Sequence, residues 1–286
     1  MSSIAVITGG AGGIGRAIAA KLAESHSHVV LVDIDEVRTK TAVDELNRDR
    51  GSDNNKFSMA ICDVTNPDSV AAMAQQVLSL GAVRTLVNNA GATRVDSLHD
   101  MTPEAWRRET ALNLDAAFLC FHAFEDALKE SKGCVVNIAS VNGLSVFGNP
   151  AYSAAKAGLI HLTHLIAVEY GQYGIRANAV APGTVRTPVW ERRVRENPRI
   201  FENTMEWYPL KRAIEPEDVA NAVAFLASPQ AAAITGIRLN EYKFVNLTLT
   251  DIKFIDEDGR QVVTVMYQFA QFDILKLKAE RFTRKY

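Results

Sequence analysis

Cysteine is scarce in this sequence. Cys62, Cys120 and Cys134 stand far apart in apolar stretches of a 286-residue chain. An odd, unclustered set is a poor disulfide framework and has no metal-ligand spacing. Buried thiols in a reducing compartment are expected, and no metal site. A dominant charge is lacking too: 31 Lys and Arg face 33 Asp and Glu, a net of −2. That balance offers nothing to a nucleic acid or an anionic membrane. No apolar run approaches the ~18 residues of a membrane span. The first apolar run, residues 4–7, has no basic stretch before it and meets Gly9 and Gly10 at once. It reads as a strand and not as a signal peptide, so a cytoplasmic location is expected. Repeats and low-complexity segments are also missing. With 48% apolar and 22% charged side chains the chain is of globular composition, which excludes disorder, collagen and coiled coil. At roughly 150 residues per domain, the length allows one domain or two.

What is present is an alternation. Short β-branched runs at 4–8, 28–33, 57–62, 85–88, 134–139 and 175–180 are separated by helical periodicity over about 14–25, 35–49, 67–79, 103–130 and 151–173. Strand and helix in turn predict an α/β protein with a doubly wound parallel sheet. Three helix entries carry matching chemistry: Asn66-Pro67-Asp68, Thr102-Pro103-Glu104 and Glu215-Pro216-Glu217-Asp218. Residues 184–212 break the rhythm with Pro188, Pro198, Pro209, Trp190, Phe201, Trp207, Tyr208 and many arginines, and read as an irregular, partly helical insertion. After Gly236 two β-rich runs, 241–255 and 260–278, flank Asp256-Glu257-Asp258-Gly259, a hairpin signal.

Three features carry chemistry. The first strand runs into Thr8-Gly9-Gly10-Ala11-Gly12-Gly13-Ile14-Gly15 and then a helix. Between a strand and a helix, such a loop suits a pyrophosphate held on the helix N-terminus. The second strand ends in Asp33, 18 residues past Gly15. A carboxylate there would accept both hydroxyls of an adenosine ribose and repel a 2′-phosphate, which favours NAD over NADP. Tyr152 and Lys156 share a helix face at i and i+4. A Lys charge and a cationic nicotinamide beside the phenol would bring its pKa down from ~10 toward working pH.

These features, with Asn88-Asn89-Ala90-Gly91, Asn113, Ser140, Asp63-Val64 and Pro182-Gly183-Thr184-Val185-Arg186-Thr187-Pro188, resemble the classical type of short-chain dehydrogenase/reductase over about residues 1–236. The resemblance implies a Rossmann fold with a catalytic domain at 1–236, a substrate lid at 186–212, and a last strand plus atypical β-rich tail at 237–286. It implies Tyr152 as general acid/base and Lys156 as the residue that lowers its pKa and holds the nicotinamide ribose. Ser140 would position the substrate oxygen, and Asn113 would hold a relay water. Gly9, Gly13 and Gly15, with Thr8 and Ile14, would cradle the pyrophosphate. Asp33 and Ile34 would take the adenosine ribose, and Asp63 and Val64 the adenine. Asn89, Ala90, Gly91, Pro182, Gly183, Val185 and Thr187 would line the nicotinamide side, Thr187 at the carboxamide.

Two departures stand out. Ser140 lies 12 residues before Tyr152, one closer than in many family members, which leaves Ser145 as a second candidate. The family's usual Asp-Gly-Gly ending after Ala233-Ile234-Thr235-Gly236 is absent. The tail can be read as an edge-pairing extension, a loose appendage, or a product of an altered frame. The missing ending puts the family's tetramer in doubt, while the helices at 103–130 and 151–173 would still form a homo-oligomer contact. His122, His161 and His164 are read as packing or interface residues, the tail acids as a solvated turn, and Arg192, Arg193, Arg195 and Arg199 as a solvated face. The expected reaction is NAD-linked oxidation of a small secondary alcohol, polyol, sugar or cyclic alcohol. Reduction of a 3-oxoacyl thioester is the alternative, and a non-catalytic cofactor sensor or structural protein the reading from another class.

Overall fold

The computed structural model describes residues 3–49, 56–188, 194–195, 198–199, 201–202, 210–241, 249–252 and 265–267. Its centre is a seven-stranded sheet: β1 (Ser3–Thr8), β2 (His28–Asp33), β3 (Phe57–Ile61), β4 (Ala82–Asn88), β5 (Cys134–Ile138), β6 (Arg176–Pro182) and β7 (Arg238–Glu241). The order is β3-β2-β1-β4-β5-β6-β7, with every pairing parallel. Helices α1 (Gly13–Leu22), α2 (Glu36–Asp49), α3 (Pro67–Leu78), α4 (Pro103–Thr110), α5 (Ala116–Ser131), α6 (Pro150–Tyr170) and α7 (Pro216–Ala227) cover both faces.

The strands are apolar on both sides because both sides are packed. In β1, Ile4 and Val6 join one core with Met73 of α3, Phe124 of α5 and Ile166 of α6. Ala5 and Ile7, on the alternate pleat, join the other with Ile18 of α1, Ala42 of α2 and Val223 of α7. The predicted helix entries form as read. Asn66 accepts from the amides of Asp68 and Ser69, and Thr102 from that of Ala105. Glu215 and Asp218 make a capping box that Arg212 grips at 2.5 and 2.8 Å. All three cysteines are buried thiols. Burial pushes Cys120 up to about 12. Among the described residues no helix is long and apolar enough to cross a membrane.

Two expectations need correction. The helix read as continuous over 103–130 is broken by a π-helical turn, Ala111–Asp115, between α4 and α5. Periodicity does not register one extra residue in a turn. The last strand forms at Arg238–Glu241, and the segment before it is tied to β6 by Asn178 Nδ2 donating to the Ile234 carbonyl (3.0 Å). The fourth strand begins at Ala82, ahead of the expected residue 85, pairing with β1 from Ser3 onward. In the tail, Leu249–Ile252 pairs antiparallel with Val265–Tyr267, while the Asp256-Glu257-Asp258-Gly259 turn lies outside the described residues.

Candidate active site

The chain reverses its winding between β1 and β4, and the crevice at the carboxyl ends of those strands is where such sheets bind ligands. The two strand ends are laced together. Thr8 Oγ1 accepts from the amides of Asn89 and Ala90, both at 3.0 Å, and Asn89 Nδ2 donates to the carbonyls of Thr8 (3.0 Å) and Gly9 (3.1 Å). The start of the glycine loop is thereby tied to the chain that leaves β4. A Cβ on Gly15 would lie 2.2 Å from the Gly9 carbonyl oxygen, and Gly9 itself has φ +63°. Helix α1 starts without a side-chain cap and without an acid in its first turn, which leaves the positive end of the helix to an outside anion. At the end of β2, Asp33 Oδ2 accepts from the Ala11 amide (3.2 Å), so the carboxylate sits against the same loop. Ile34 beside it is exposed. These residues fit a dinucleotide: a cradle that leaves no room for a side chain at Gly9, Gly10 and Gly15, an uncapped helix end, and a carboxylate next to both.

Farther along the crevice, Asp63 turns its carboxylate onto Thr65, and Val64 is buried against the core. Pro182 ends β6, Val185 bridges to Ile214, and Thr187 packs its methyl 3.3 Å from where a Gly13 Cβ would be. The loop from β6 thus closes over the glycine loop. Beyond it, Arg186 stacks its guanidinium over Phe201 at 4.8 Å, while Arg195 and Arg199 are exposed. Trp190, Arg192, Arg193, Trp207 and Tyr208 of the expected lid lie outside the described residues.

Four polar residues meet next to that cradle. Lys156 is buried, its ammonium donating to the Ile138 carbonyl at 2.7 Å and lying 5.6 Å from the Tyr152 ring centroid. Tyr152 shares a hydrogen bond with Ser140. Asn113, in the π turn, donates both amide protons, to the carbonyls of Ala92 (2.7 Å) and Glu109 (2.8 Å). Its Oδ1 is buried with no partner among the described residues. A Cβ on Gly91 would come within 2.7 Å of that oxygen and 3.3 Å of the Lys156 ammonium. Gly91 therefore keeps the space between them open.

Such a constellation beside a dinucleotide cradle has known relatives. The family described as Enoyl-(Acyl carrier protein) reductase matches residues 9–240. The cis-4-hydroxycyclohexanecarboxylate dehydrogenase of Sinomonas cyclohexanicum is 38% identical over 238 residues, covering 82% of this chain and 92% of its own. The chain belongs to the short-chain dehydrogenase/reductase family. A solved short-chain dehydrogenase/reductase from Burkholderia thailandensis superposes with a TM-score of 0.75 at 39% identity, covering 84% of this chain and 91% of its own. A point variant of an actinorhodin polyketide ketoreductase, solved with NADPH, gives 0.78 at 31% identity, covering 85% and 96%. The protein is an oxidoreductase acting on CH–OH groups and the corresponding ketones.

In this short-chain dehydrogenase/reductase, burial acts on both ionisable groups of the pair. Tyr152 stands above its ordinary value, burial being the main cause and the Ser140 hydrogen bond opposing it. The same burial brings Lys156 down to about 8.

The shortened loop before Tyr152 still delivers Ser140. A 3-10 turn, Val141–Gly143, follows it, with Asn142 donating its amide to Ser140 Oγ at 3.2 Å. Gly148 and Asn149 then take left-handed backbone (φ +91° and +51°), which turns the chain into α6. Ser145 instead lines a neighbouring open cleft of about 560 Å³, walled by Asp96, Ser97 and Leu98 on one side and Leu144, Val146 and Pro150 on the other. Ser140→Ala is expected to lower kcat by ~10²-fold, typical of a lost oxygen-stabilising donor. Retention of more than about a tenth of the activity would remove Ser140 from the machinery.

Three residues of the site escaped sequence reading. Asn142 donates to Ser153 Oγ (3.3 Å), Asn149 donates to Asp96 Oδ1 (2.7 Å), and Glu109 is a buried carboxylate behind the cleft wall. Only Glu109 carried a signal, an acid one turn ahead of Asn113 on the inner face of a helix.

Proposed function

We propose that this short-chain dehydrogenase oxidises a small, uncharged secondary alcohol (a polyol, sugar or cyclic alcohol) with NAD in preference to NADP. The observation that carries the reading is the convergence of Tyr152, Ser140, Lys156 and Asn113 at the mouth of the glycine cradle. Thr8, Gly9, Gly13, Ile14 and Gly15 hold the pyrophosphate. Asp33 and Ile34 take the adenosine ribose, and Asp63 with Val64 the adenine. Asn89, Ala90, Gly91, Pro182, Gly183, Val185 and Thr187 border the nicotinamide. When bound, the nicotinamide accepts or supplies the hydride. Ser140 holds the substrate oxygen, and Tyr152 removes its proton as general base, or returns it as general acid in the reverse direction. Lys156 hydrogen-bonds the nicotinamide ribose and, when charged, favours the phenolate. The partnerless Asn113 Oδ1 accepts from a water that carries the proton on toward solvent through Lys156.

Asp33 decides the cofactor, because a 2′-phosphate would meet its carboxylate. In fluorescence titrations NADH is expected to bind at least about tenfold more tightly than NADPH, ~1.4 kcal/mol. Asp33→Ala should erase that preference. Tighter NADPH binding by the wild type would overturn the assignment. A screen of secondary alcohols for NAD reduction tests the substrate class. Reduction of a 3-oxoacyl thioester is the second reading, favoured by the 36% identity to a 3-oxoacyl-[acyl-carrier-protein] reductase of Chlamydia muridarum; it requires turnover of such a thioester with no alcohol oxidation.

Residues 1–236 form the catalytic domain in this proposal, with the tail outside it. Exposed Phe118 on α5 and Leu165 and Val168 on α6 support a homo-oligomer built on those helices. The buried free thiols suit the cytoplasm.

A further inference from the structure

The loop that leaves β4 forms one wall of the open cleft, yet residues 91–96 belong to no helix or strand. Something else must satisfy its backbone. On the outer side Asn149 does this. Its amide nitrogen donates to the Asp96 carbonyl at 3.1 Å, and its Nδ2 to the Val95 carbonyl at 3.3 Å. On the inner side stands a single carboxylate. Glu109 Oε1 accepts from the amides of Arg94 (2.8 Å) and Val95 (3.2 Å), and Oε2 from the Thr93 hydroxyl (3.2 Å). Glu109 is 5% exposed, and no ion pair is formed by it among the described residues. A carboxylate that deep is held by the donors aimed at it.

The same residue reaches the reacting groups by a second route. Its backbone carbonyl takes one Asn113 amide proton, and the Ala92 carbonyl, adjacent to the segment its carboxylate grips, takes the other. With both protons committed, Asn113 can only present its oxygen toward Gly91 and Lys156. We infer that Glu109 is a positioning residue: its carboxylate pins the loop after β4 and so sets the substrate wall, while its main-chain carbonyl, which Glu109→Gln keeps, holds the Asn113 amide with the oxygen toward Lys156. This rests on the catalytic reading above. The pinning itself does not.

Glu109→Gln keeps the volume but replaces an acceptor oxygen with an NH₂ group that faces donors. Thr93→Val removes one donor and leaves Glu109 in place. Two measurements on the full chain decide the matter. Hydrogen exchange across residues 92–96 should quicken at least about tenfold in Glu109→Gln and about two- to threefold in Thr93→Val, with β1 unchanged. In steady state, with cyclohexanol or the best alcohol of the screen as probe, Glu109→Gln should raise KM about tenfold, change kcat less than about threefold, and shift NADH affinity less than about twofold. Unchanged exchange overturns the pinning. Faster exchange with unchanged KM overturns the link to the substrate wall, as does a uniform loss of kcat, NADH affinity and thermal stability. If the wild type turns over no alcohol, the proposed reaction fails, while the exchange result still decides the pinning.

Discussion

Tyr152→Phe is expected to lower kcat by about 10³-fold, within the 10²–10⁴ range of a positioned proton-transfer group and equal to ~4 kcal/mol of barrier. The change removes one oxygen and keeps the ring, so packing near Ala151 and Ala155, both buried, should survive. NADH affinity should stay within about twofold. Turnover above a tenth of wild type would sink the mechanism. A pH profile adds a second readout. In the folded protein Tyr152 is raised by burial and Lys156 is lowered to about 8 by burial. As a base, Tyr152 works only after losing its proton, so alcohol oxidation should rise with pH through the coupled titration of the pair. That alkaline rise should vanish in Tyr152→Phe. Ketone reduction, which needs the protonated phenol, should fall over the same interval.

Gly15→Ala should be nearly as damaging, for a different reason. The added Cβ would sit 2.2 Å from the Gly9 carbonyl oxygen, 2.9 Å from Gly10 Cα and 3.0 Å from the Gly9 carbonyl carbon. All three are backbone atoms of the cradle, pinned in turn by Asn89 Nδ2. The loop must open to admit the methyl. Overpacking of this kind costs about 1–3 kcal/mol of stability. NADH affinity should fall by at least about 10²-fold, read by titration calorimetry. Gly171→Ala is the matched control. Nothing lies within 4 Å of its Cβ position, and its φ of −55° suits any residue. That variant should keep cofactor affinity and gain about 0.4–1 kcal/mol through the unfolded chain. Equal behaviour of the two variants would contradict the cradle.

The legible parts of this protein were local or periodic. Both faces of the sheet are covered, so each strand shows as an apolar run and each helix as a 3.6-residue pattern. The caps at Asn66 and Thr102 act within three residues of themselves, and both formed as read. Tyr152 and Lys156 share a helix face by spacing alone. The π turn around Asn113 was not legible, because one extra residue per turn leaves the apolar stripe almost unchanged. Glu109 falls unremarked inside the helical run 103–130, since its partners Arg94 and Val95 are joined to it only through the fold.

The sequence by itself determined the alternation of strand and helix, the glycine cradle with Asp33 beyond it, and the Tyr152–Lys156 pair. Each depends on neighbours a few residues away or on a repeating period. The tertiary structure alone decided which groups meet and how far each is withdrawn from water. The parallel order that sets β4 beside β5 brings Asn113, Ser140 and Tyr152 to one crevice. Burial of that crevice lifts the phenol and lowers the ammonium, because both charged forms lose water at once. Desolvation and hydrogen bonds such as that from Lys156 to the Ile138 carbonyl, 18 residues back along the chain, exist only once the sheet has formed.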